Sequence, residues 1–373
     1  MVLRLGIVGC GRISNAHGIA VRRLAGAVEL AACMDVREEA ARKYAETYGV
    51  GSVYTDLPLM LRAEHLDGVI LATWPGQHLQ QIDTVIQGGV RHILCEKALA
   101  ATANDAYRIW ELTAAAGATV LEGFMYAYHP AIAKLDELVA SGRGGPIDSL
   151  RSVFCNFVAE TASADDDKRP WRQRKETGGG VTYDLTCYPV NAVARYARSL
   201  PRTVYASGSV SAKYGTINRL FGEITYVNGC VGIVESSATA MFNQEIQINC
   251  ARRVFRLTTS FTIPGNAIVN EYEAEKFSHV KRHDFPVASA LPLQDDLPSF
   301  PAYQVQLDHF RCIVQEGATP KLSLAESAVN VHVLEAMVRS LHEHRVIDVA
   351  IPDPLARAWQ AAVGAEKVCG CER

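Results

Sequence analysis

Over the first 125 positions, apolar residues fall into short unbroken runs separated by helical periodicity. Leu3, Leu5, Ile7 and Val8 make a strand-like run that passes directly into Gly9-x-Gly11-x-x-Ser14. Ile13, Ala16, Ala20 and Leu24 then share one helical face, which predicts strand, tight turn and helix. Leu30 to Met34 predicts a second buried strand ending at Asp35. Arg37 to Tyr48 predicts a helix stopped by Gly49, Val53-Tyr54 a short third strand, and Asp56 the cap of a helix starting near Pro58. Gly68 to Ala72 is apolar throughout, as expected of a strand buried on both faces. Leu79 to Gly88 predicts a helix, His92 to Cys95 a strand, Thr102 to Ala116 a helix with Thr102 and Asp105 at capping-box spacing, and Val120-Leu121 a strand running into Glu122. Six strands alternating with helices predict one doubly wound parallel sheet.

Past His129-Pro130 the pattern changes. A helix from Ala131 to Ser141 leads to segments that alternate in the strand manner: Leu150 to Ala159, Thr203 to Ala212, Leu220 to Val227, Val231 to Ala238, Ile246 to Leu257 and Ala267 to Ala274. Such a meander favours an antiparallel sheet. Helices are expected near Tyr183 to Ser199, at Tyr303 to Glu316 and at Leu324 to His344, the last opened by a Ser323-x-x-Glu326 capping box. The fold class is therefore α/β: a doubly wound parallel sheet in residues 1–125, then a second α/β domain in 126–373 with a large open, mainly antiparallel sheet. The terminal helices have the freedom to pack back on the first domain.

Composition narrows the function classes. The chain has 373 residues, enough for two cores, with 49% hydrophobic and 21% charged residues and a formal net charge of -3. With no long basic block, nucleic acid and anionic membrane are not expected partners. The first strand begins at once and no apolar run reaches membrane-span length, so the chain reads as cytoplasmic. Its 10 cysteines are scattered without a C-x-x-C pair, and His17, His78 and His129 form no spaced ligand set, so no metal is expected.

The chemistry concentrates at the carboxyl ends of the parallel strands. Gly9 permits the turn, Gly11 lets a pyrophosphate approach the backbone, and with Arg12 and Ile13 they open the first helix, whose N-terminus attracts an anion. Asp35 stands where a dinucleotide fold places the acceptor for the adenosine ribose hydroxyls, which favours NAD. Arg37, two residues on, leaves NADP open. Thr73-Trp74 with His78, and Glu96-Lys97, occupy the ends of two further strands, the usual ligand edge of such a sheet. Asp184 and Tyr188, four residues apart on an expected helix, face one way. The segment from Thr161 to Gly180 carries charges of both signs around Trp171 and ends in three glycines, which suggests a lid.

The fingerprint, Glu96-Lys97, the run Glu122-Gly123-Phe124-Met125-Tyr126-x-Tyr128-His129-Pro130, and Gly178-Gly179-Gly180-x-x-x-Asp184-x-x-x-Tyr188-Pro189 together resemble the glucose-fructose oxidoreductase, inositol dehydrogenase and MocA family. The resemblance implies a Rossmann domain, a nicotinamide cofactor and hydride transfer at a carbinol carbon of a sugar or polyol. It also implies that Lys97, Asp184 and Tyr188 are catalytic, with Lys97 orienting the oxygen and Tyr188 as acid/base. On that reading Gly9, Gly11, Arg12, Ile13, Asp35, Arg37, Thr73, Trp74, His78, Glu96 and Lys97 hold the cofactor. Lys97, Tyr126, His129, Trp171, Arg172, Asp184 and Tyr188 meet the substrate. Ala98 follows Lys97 where the family has proline, and Ala127 replaces a common arginine. Two alternatives stay open: a keto-sugar reductase whose Arg169, Arg172 and Arg174 meet a nucleotide phosphate, and a dinucleotide-sensing binding protein. An open sheet face of this size predicts a homodimer or homotetramer.

Overall fold

The computed structural model describes residues 1–158, 171–263, 266–276, 279–288 and 301–369. They form two compact units, one from 1–128 with the described part of 291–328, the other from the described parts of 129–290 and 329–373.

In the first unit, β1 (Leu3–Val8), β2 (Val28–Met34), β3 (Ser52–Tyr54), β4 (Gly68–Leu71), β5 (His92–Cys95) and β6 (Thr119–Glu122) form a wholly parallel sheet in the order β3-β2-β1-β4-β5-β6. β1 and β4 lie at its centre, and Leu5, Ile7, Val69, Ile70 and Leu71 are fully buried. The connecting helices are α1 (Ser14–Arg23), α2 (Glu38–Tyr48), α3 (Leu57–Ala63), α4 (His78–Gln87) and α5 (Ala103–Ala115). Their ends follow the expected local chemistry. The Asp56 side chain accepts from Leu59 N–H at 2.7 Å, Thr102 Oγ1 from Asp105 N–H at 3.0 Å, and Gly49 closes α2 in the left-handed region at φ +73°.

The buried face of α1 departs from expectation. Ala20 is buried as expected, but Ser14, His17, Gly18 and Val21 join it on the inner face, while Ile13, Ala16 and Leu24 are only half-buried. A Cβ at Gly18 would lie 2.6 Å from the Tyr48 ring, so this glycine sets how closely α1 approaches α2. His17 meets there a buried carboxylate described below.

In the second unit, α6 (Pro130–Ala140) leads into β7 (Ile147–Cys155). After α7 (Cys187–Ala197) come β8 (Pro201–Val210), β9 (Ile217–Tyr226), β10 (Val231–Ser237), β11 (Asn243–Cys250), β12 (Arg253–Thr258), β13 (Asn266–Lys276) and β14 (His279–Ala288). With β15 (Ile347–Asp348) they make a nine-stranded sheet in the order β14-β13-β12-β11-β7-β10-β9-β8-β15. It is not a simple meander. β7 inserts between β10 and β11 and runs parallel to β10, the other pairs being antiparallel. The expected single strand from Ile246 to Leu257 is two. The chain turns between them at Ala251-Arg252, whose N–H groups donate to the carbonyls of Pro146 and Gly144, a tertiary anchor in place of a turn signature. The first part of β14, with His279, Lys281, Arg282, His283 and Asp284, is mostly polar on both faces, which an edge strand tolerates.

Three further helices complete the chain: α8 (Pro301–Glu316), which packs on α1, α9 (Leu324–Glu343) and α10 (Asp353–Cys369). At the start of α9, Glu326 N–H donates to Ser323 Oγ and Ser323 N–H to the Glu326 carboxylate, the expected capping box. α10 is an element the hydropathy pattern did not announce. No helix among the described residues is long and apolar enough to cross a membrane.

Close strand contact imposes one sharp constraint. A Cβ on Gly208 in β8 would run into the Arg219 carbonyl oxygen of β9, which cannot move without opening the ladder. Gly208→Ala is expected to cost about 1–3 kcal/mol, read as a lower denaturation midpoint in urea with unchanged slope.

Candidate functional site

Each unit presents its own cluster of functional side chains. In the first, the chain leaves β1 through Gly9, at φ +89°, where a Cβ would lie 2.8 Å from the Ala72 carbonyl oxygen. Gly9 N–H donates to the Met34 carbonyl at 2.8 Å, and Ser14 Oγ folds back to the Gly11 carbonyl at 2.6 Å. Helix α1 then begins at Ile13 without a side-chain cap, and a methyl at Gly11 would meet no atom within 4 Å among the described residues. A helix N-terminus whose N–H groups lack a side-chain cap, reached over an open glycine, suits a pyrophosphate. Arg12 is exposed beside it.

Asp35, at the end of β2, is largely buried. Its Oδ2 accepts from Cys10 N–H and its Oδ1 from Arg37 N–H, both at 2.9 Å. The carboxylate thus braces the glycine turn and still has lone pairs for a ribose diol. The Arg37 guanidinium lies 3.6 Å from Oδ1 on a mostly exposed side chain, free to swing toward solvent. Thr73 Oγ1 donates to Gln81 at 2.5 Å, and Trp74 is exposed, 37% of its surface open.

Residues 96–99, which follow β5, are held on several sides. Glu96 is buried. Its Oε1 accepts from His17 Nε2 at 2.8 Å and its Oε2 from Lys97 N–H at 3.3 Å. The Tyr303 ring of α8 stands edge-on to His17, centroids 5.3 Å apart. Glu96 therefore faces inward toward α1. The Lys97–Ala98 peptide is cis, and Lys97 itself is half-buried. His78 is fully buried and donates through Nδ1 to the Leu99 carbonyl at 3.1 Å, and burial lowers its pKa, which keeps the ring neutral. Leu99 N–H donates to Glu122 Oε1 at 2.7 Å. Glu122 ends β6 and is fully enclosed, and burial pushes its pKa up to about 8. Tyr126 is buried edge-on to Phe124.

In the second unit, Asp184 and Tyr188 do not share a regular helix. Thr182–Thr186 forms one wide π-turn that passes into α7 at Cys187. Asp184 is buried and receives a two-pronged pair from Arg172, Nε to Oδ2 at 2.5 Å and Nη2 to Oδ1 at 3.2 Å. The Arg172 guanidinium also lies over the Trp171 ring, 4.8 Å from its centroid. Gly180 N–H donates to the Arg172 carbonyl and Gly179 N–H to that of Arg174, so the triple glycine folds the 171–180 segment on itself. A Cβ at Gly179 would strike the carbonyls of Trp171 and Arg174. Arg172 and Asp184 line a cleft with Gln173, Tyr214, Asn218 and Thr239. Tyr188 packs instead among Phe154 and Phe261, ring centroids 5.3 and 5.2 Å away. His129 caps α6, its Nδ1 accepting from Ala131 N–H at 3.1 Å. Asp165, Asp166, Asp167, Lys168 and Arg169 of the expected lid lie outside the described residues.

Two side chains with evident roles here were not among the expected site residues. His17 and Glu122 carry one available signal each: a polar residue on the inner face of a helix, and an acid closing the apolar run Val120-Leu121.

Comparison with known proteins agrees with this geometry. Residues 3–124 match a family model described as an oxidoreductase family with an NAD-binding Rossmann fold, and residues 132–256 match the GFO/IDH/MocA C-terminal domain. A D-xylose 1-dehydrogenase (NADP(+)) of Haloferax volcanii is 27% identical over 90% of this chain and 98% of its own. A myo-inositol 2-dehydrogenase of Thermotoga maritima is 25% identical over 66% of this chain and 72% of its own. The structure of a levoglucosan dehydrogenase in complex with NADH superposes with a TM-score of 0.82 at 18% identity, covering 94% of this chain and 100% of that one. The glycine turn, Asp35 and the uncapped start of α1 fit the dinucleotide that such a domain binds, and the chain belongs to the Gfo/Idh/MocA family of NAD-binding oxidoreductases.

Proposed function

We propose that the protein is an NAD(P)-dependent dehydrogenase of a sugar or polyol, acting at a secondary carbinol. The observation that carries this reading is the position of Lys97. It follows the buried end of β5; the side chain of Glu96 before it is tied to α1, and the backbone of Leu99 after it to α4 and β6, in the same unit that holds the dinucleotide turn. The cofactor, when bound, supplies the acceptor or donor of a hydride. The chain's own residues do the rest. Lys97 directs its ammonium at the reacting oxygen and polarises it, and Tyr188 exchanges the hydroxyl proton. Asp184 holds the Arg172 guanidinium in one orientation through two of its N–H groups, and the remaining guanidinium N–H groups are donors for a substrate hydroxyl. Trp171 gives an apolar face for the C–H side of a ring, and Tyr126 and His129 belong to the same substrate set.

In a spectrophotometric screen of aldoses, inositols and sugar acids at the nicotinamide absorbance, Lys97→Ala and Tyr188→Phe are expected to lower kcat by about 100-fold to 10,000-fold while leaving NADH affinity within about threefold. Tight NADH binding without turnover of any substrate in either direction would replace this reading with that of a dinucleotide sensor.

We assign NAD as the preferred cofactor, since a 2′-phosphate would meet the Asp35 carboxylate. The Haloferax volcanii relative is named for NADP(+), so Asp35→Ser is the informative change. It is expected to weaken NADH at least tenfold and to raise the NADPH/NADH affinity ratio, both read by fluorescence titration. An unaltered ratio would remove Asp35 from the discrimination.

Copies of the chain are proposed to associate through the outer face of the nine-stranded sheet. There Tyr205, Phe221 and Ile233 stand 41–47% exposed. They are paired across strands with Glu223 and Glu235, so the face mixes apolar and charged positions. Sedimentation at micromolar concentration should show a dimer or tetramer, and Phe221→Glu with Ile233→Lys should shift it to monomer mass. A parent that already sediments as a monomer overturns the assignment.

A further inference from the structure

Glu122 stands out because the reaction as drawn gives it no task. It closes β6, next to the end of β5, and the two strand ends approach so closely that a Cβ at Gly123 would lie 3.0 Å from Glu96 Cα. Glu122 Oε1 accepts from Leu99 N–H at 2.7 Å, and His78 holds the Leu99 carbonyl from the opposite side. Both backbone groups of the residue two positions after Lys97 are thereby fixed, and neither clamp uses the Lys97 side chain.

We propose that Glu122 is the positioning residue for Lys97, holding the 97–99 backbone through Leu99 and standing as a neutral acid beside the Glu96 carboxylate. The inference rests on the reading of Lys97 as the active lysine. The surroundings of Glu122 support the neutral form. Glu96 and Lys97 are the charged groups that face it; the Cys95 thiol and the Ser327 hydroxyl of α9 are the other polar side chains. Enclosure of the carboxyl group favours the protonated form; the Ser327 hydroxyl stands close enough to favour the ionised one, although neither it nor Oε2 completes a hydrogen bond of normal geometry among the described residues. Enclosure raises the Glu122 pKa most and the Glu96 charge adds to it, against the opposing pull of the Ser327 hydroxyl, the Leu99 N–H and the Lys97 charge. Near neutral pH, Glu122 then adds no charge beside Lys97; as pH rises through about 8, it gains one.

The test uses two variants. Glu122→Gln keeps an acceptor for Leu99 N–H and cannot ionise, whereas Glu122→Ala removes the acceptor. After reductive methylation with carbon-13 formaldehyde, the Lys97 signal, identified by its loss in Lys97→Arg, is followed from about pH 6 to about pH 10. The parent is expected to show an inflection near pH 8 that Glu122→Gln lacks. With a substrate that the parent turns over, Glu122→Gln should keep kcat within about threefold at neutral pH. Glu122→Ala should lose about a hundredfold in kcat with a smaller change in KM and in NADH affinity. Superimposable Lys97 titrations in parent and Glu122→Gln, or parental kcat in Glu122→Ala, overturn the proposal. If Glu122→Ala does not fold, the Gln comparison decides alone. If no substrate turns over, the dehydrogenase reading fails, while the Lys97 titration still settles the part played by Glu122.

Discussion

Burying a carboxyl group costs several kcal/mol unless it is paired, hydrogen-bonded or protonated, and the first unit places two of them at neighbouring strand ends. Glu96 and Glu122 close β5 and β6, and each meets that cost differently. Glu96 pairs with His17 of α1 and takes the Lys97 amide, whereas Glu122 takes the Leu99 amide and holds its proton. Much of the local architecture follows from these two solutions. α1 turns a histidine to its core face, α8 sets Tyr303 against that histidine, and Gly123 must lack a side chain for the strand ends to meet. Lys97 then stands on a backbone clamped before and after it. On the proposed role of Lys97 that rigidity would matter for catalysis, since a misplacement of about 1 Å costs about a hundredfold in rate.

The second unit works with charge neutralisation instead. Asp184 is buried in a widened turn, and Arg172 pairs with it through a fork while lying over Trp171. The buried acid holds the arginine in one geometry, which on the proposed function would present its remaining N–H donors to a substrate hydroxyl. The segment bearing Arg172 is shaped by the glycines at 178–180, so the triple glycine has a structural explanation independent of any lid. Tyr188 owes its position to Phe154 and Phe261 and is set by packing, not by helical spacing from Asp184.

Family membership and local chemistry point the same way at the dinucleotide turn. The positive φ at Gly9, the open space at Gly11 and the bracing of the turn by Asp35 are consequences of a fingerprint only six residues long with one acid downstream. Asp35 has two duties, since the same carboxylate that would receive ribose hydroxyls also ties Cys10 and Arg37 in place.

What the chain determined by itself was whatever depends on neighbours in sequence. The six parallel strands were legible because their buried runs are short and apolar on both faces. The caps at Asp56, Thr102 and Ser323 were legible because a side chain reaches only two or three residues along. Lys97, Asp184 and Arg172 could be singled out from motifs. Contacts made across long stretches of chain were decided only by the tertiary structure. Helical spacing puts His17 on the inner face of α1, but the carboxylate of Glu96 that makes a polar ring acceptable there, and the Tyr48 ring that requires Gly18, are recorded by no hydropathy period. The break between β11 and β12 depends on carbonyls about a hundred residues earlier, and β7 lies between β10 and β11 in a parallel pairing that alternation cannot distinguish from an antiparallel one. Glu122 belongs to the same class: in sequence it is one more acid after a strand, and only burial beside Glu96 gives it a raised pKa and a role. Periodicity reports which face of an element is apolar, but a polar side chain turned inward is fixed by the partner it finds, and that partner lies elsewhere in the chain.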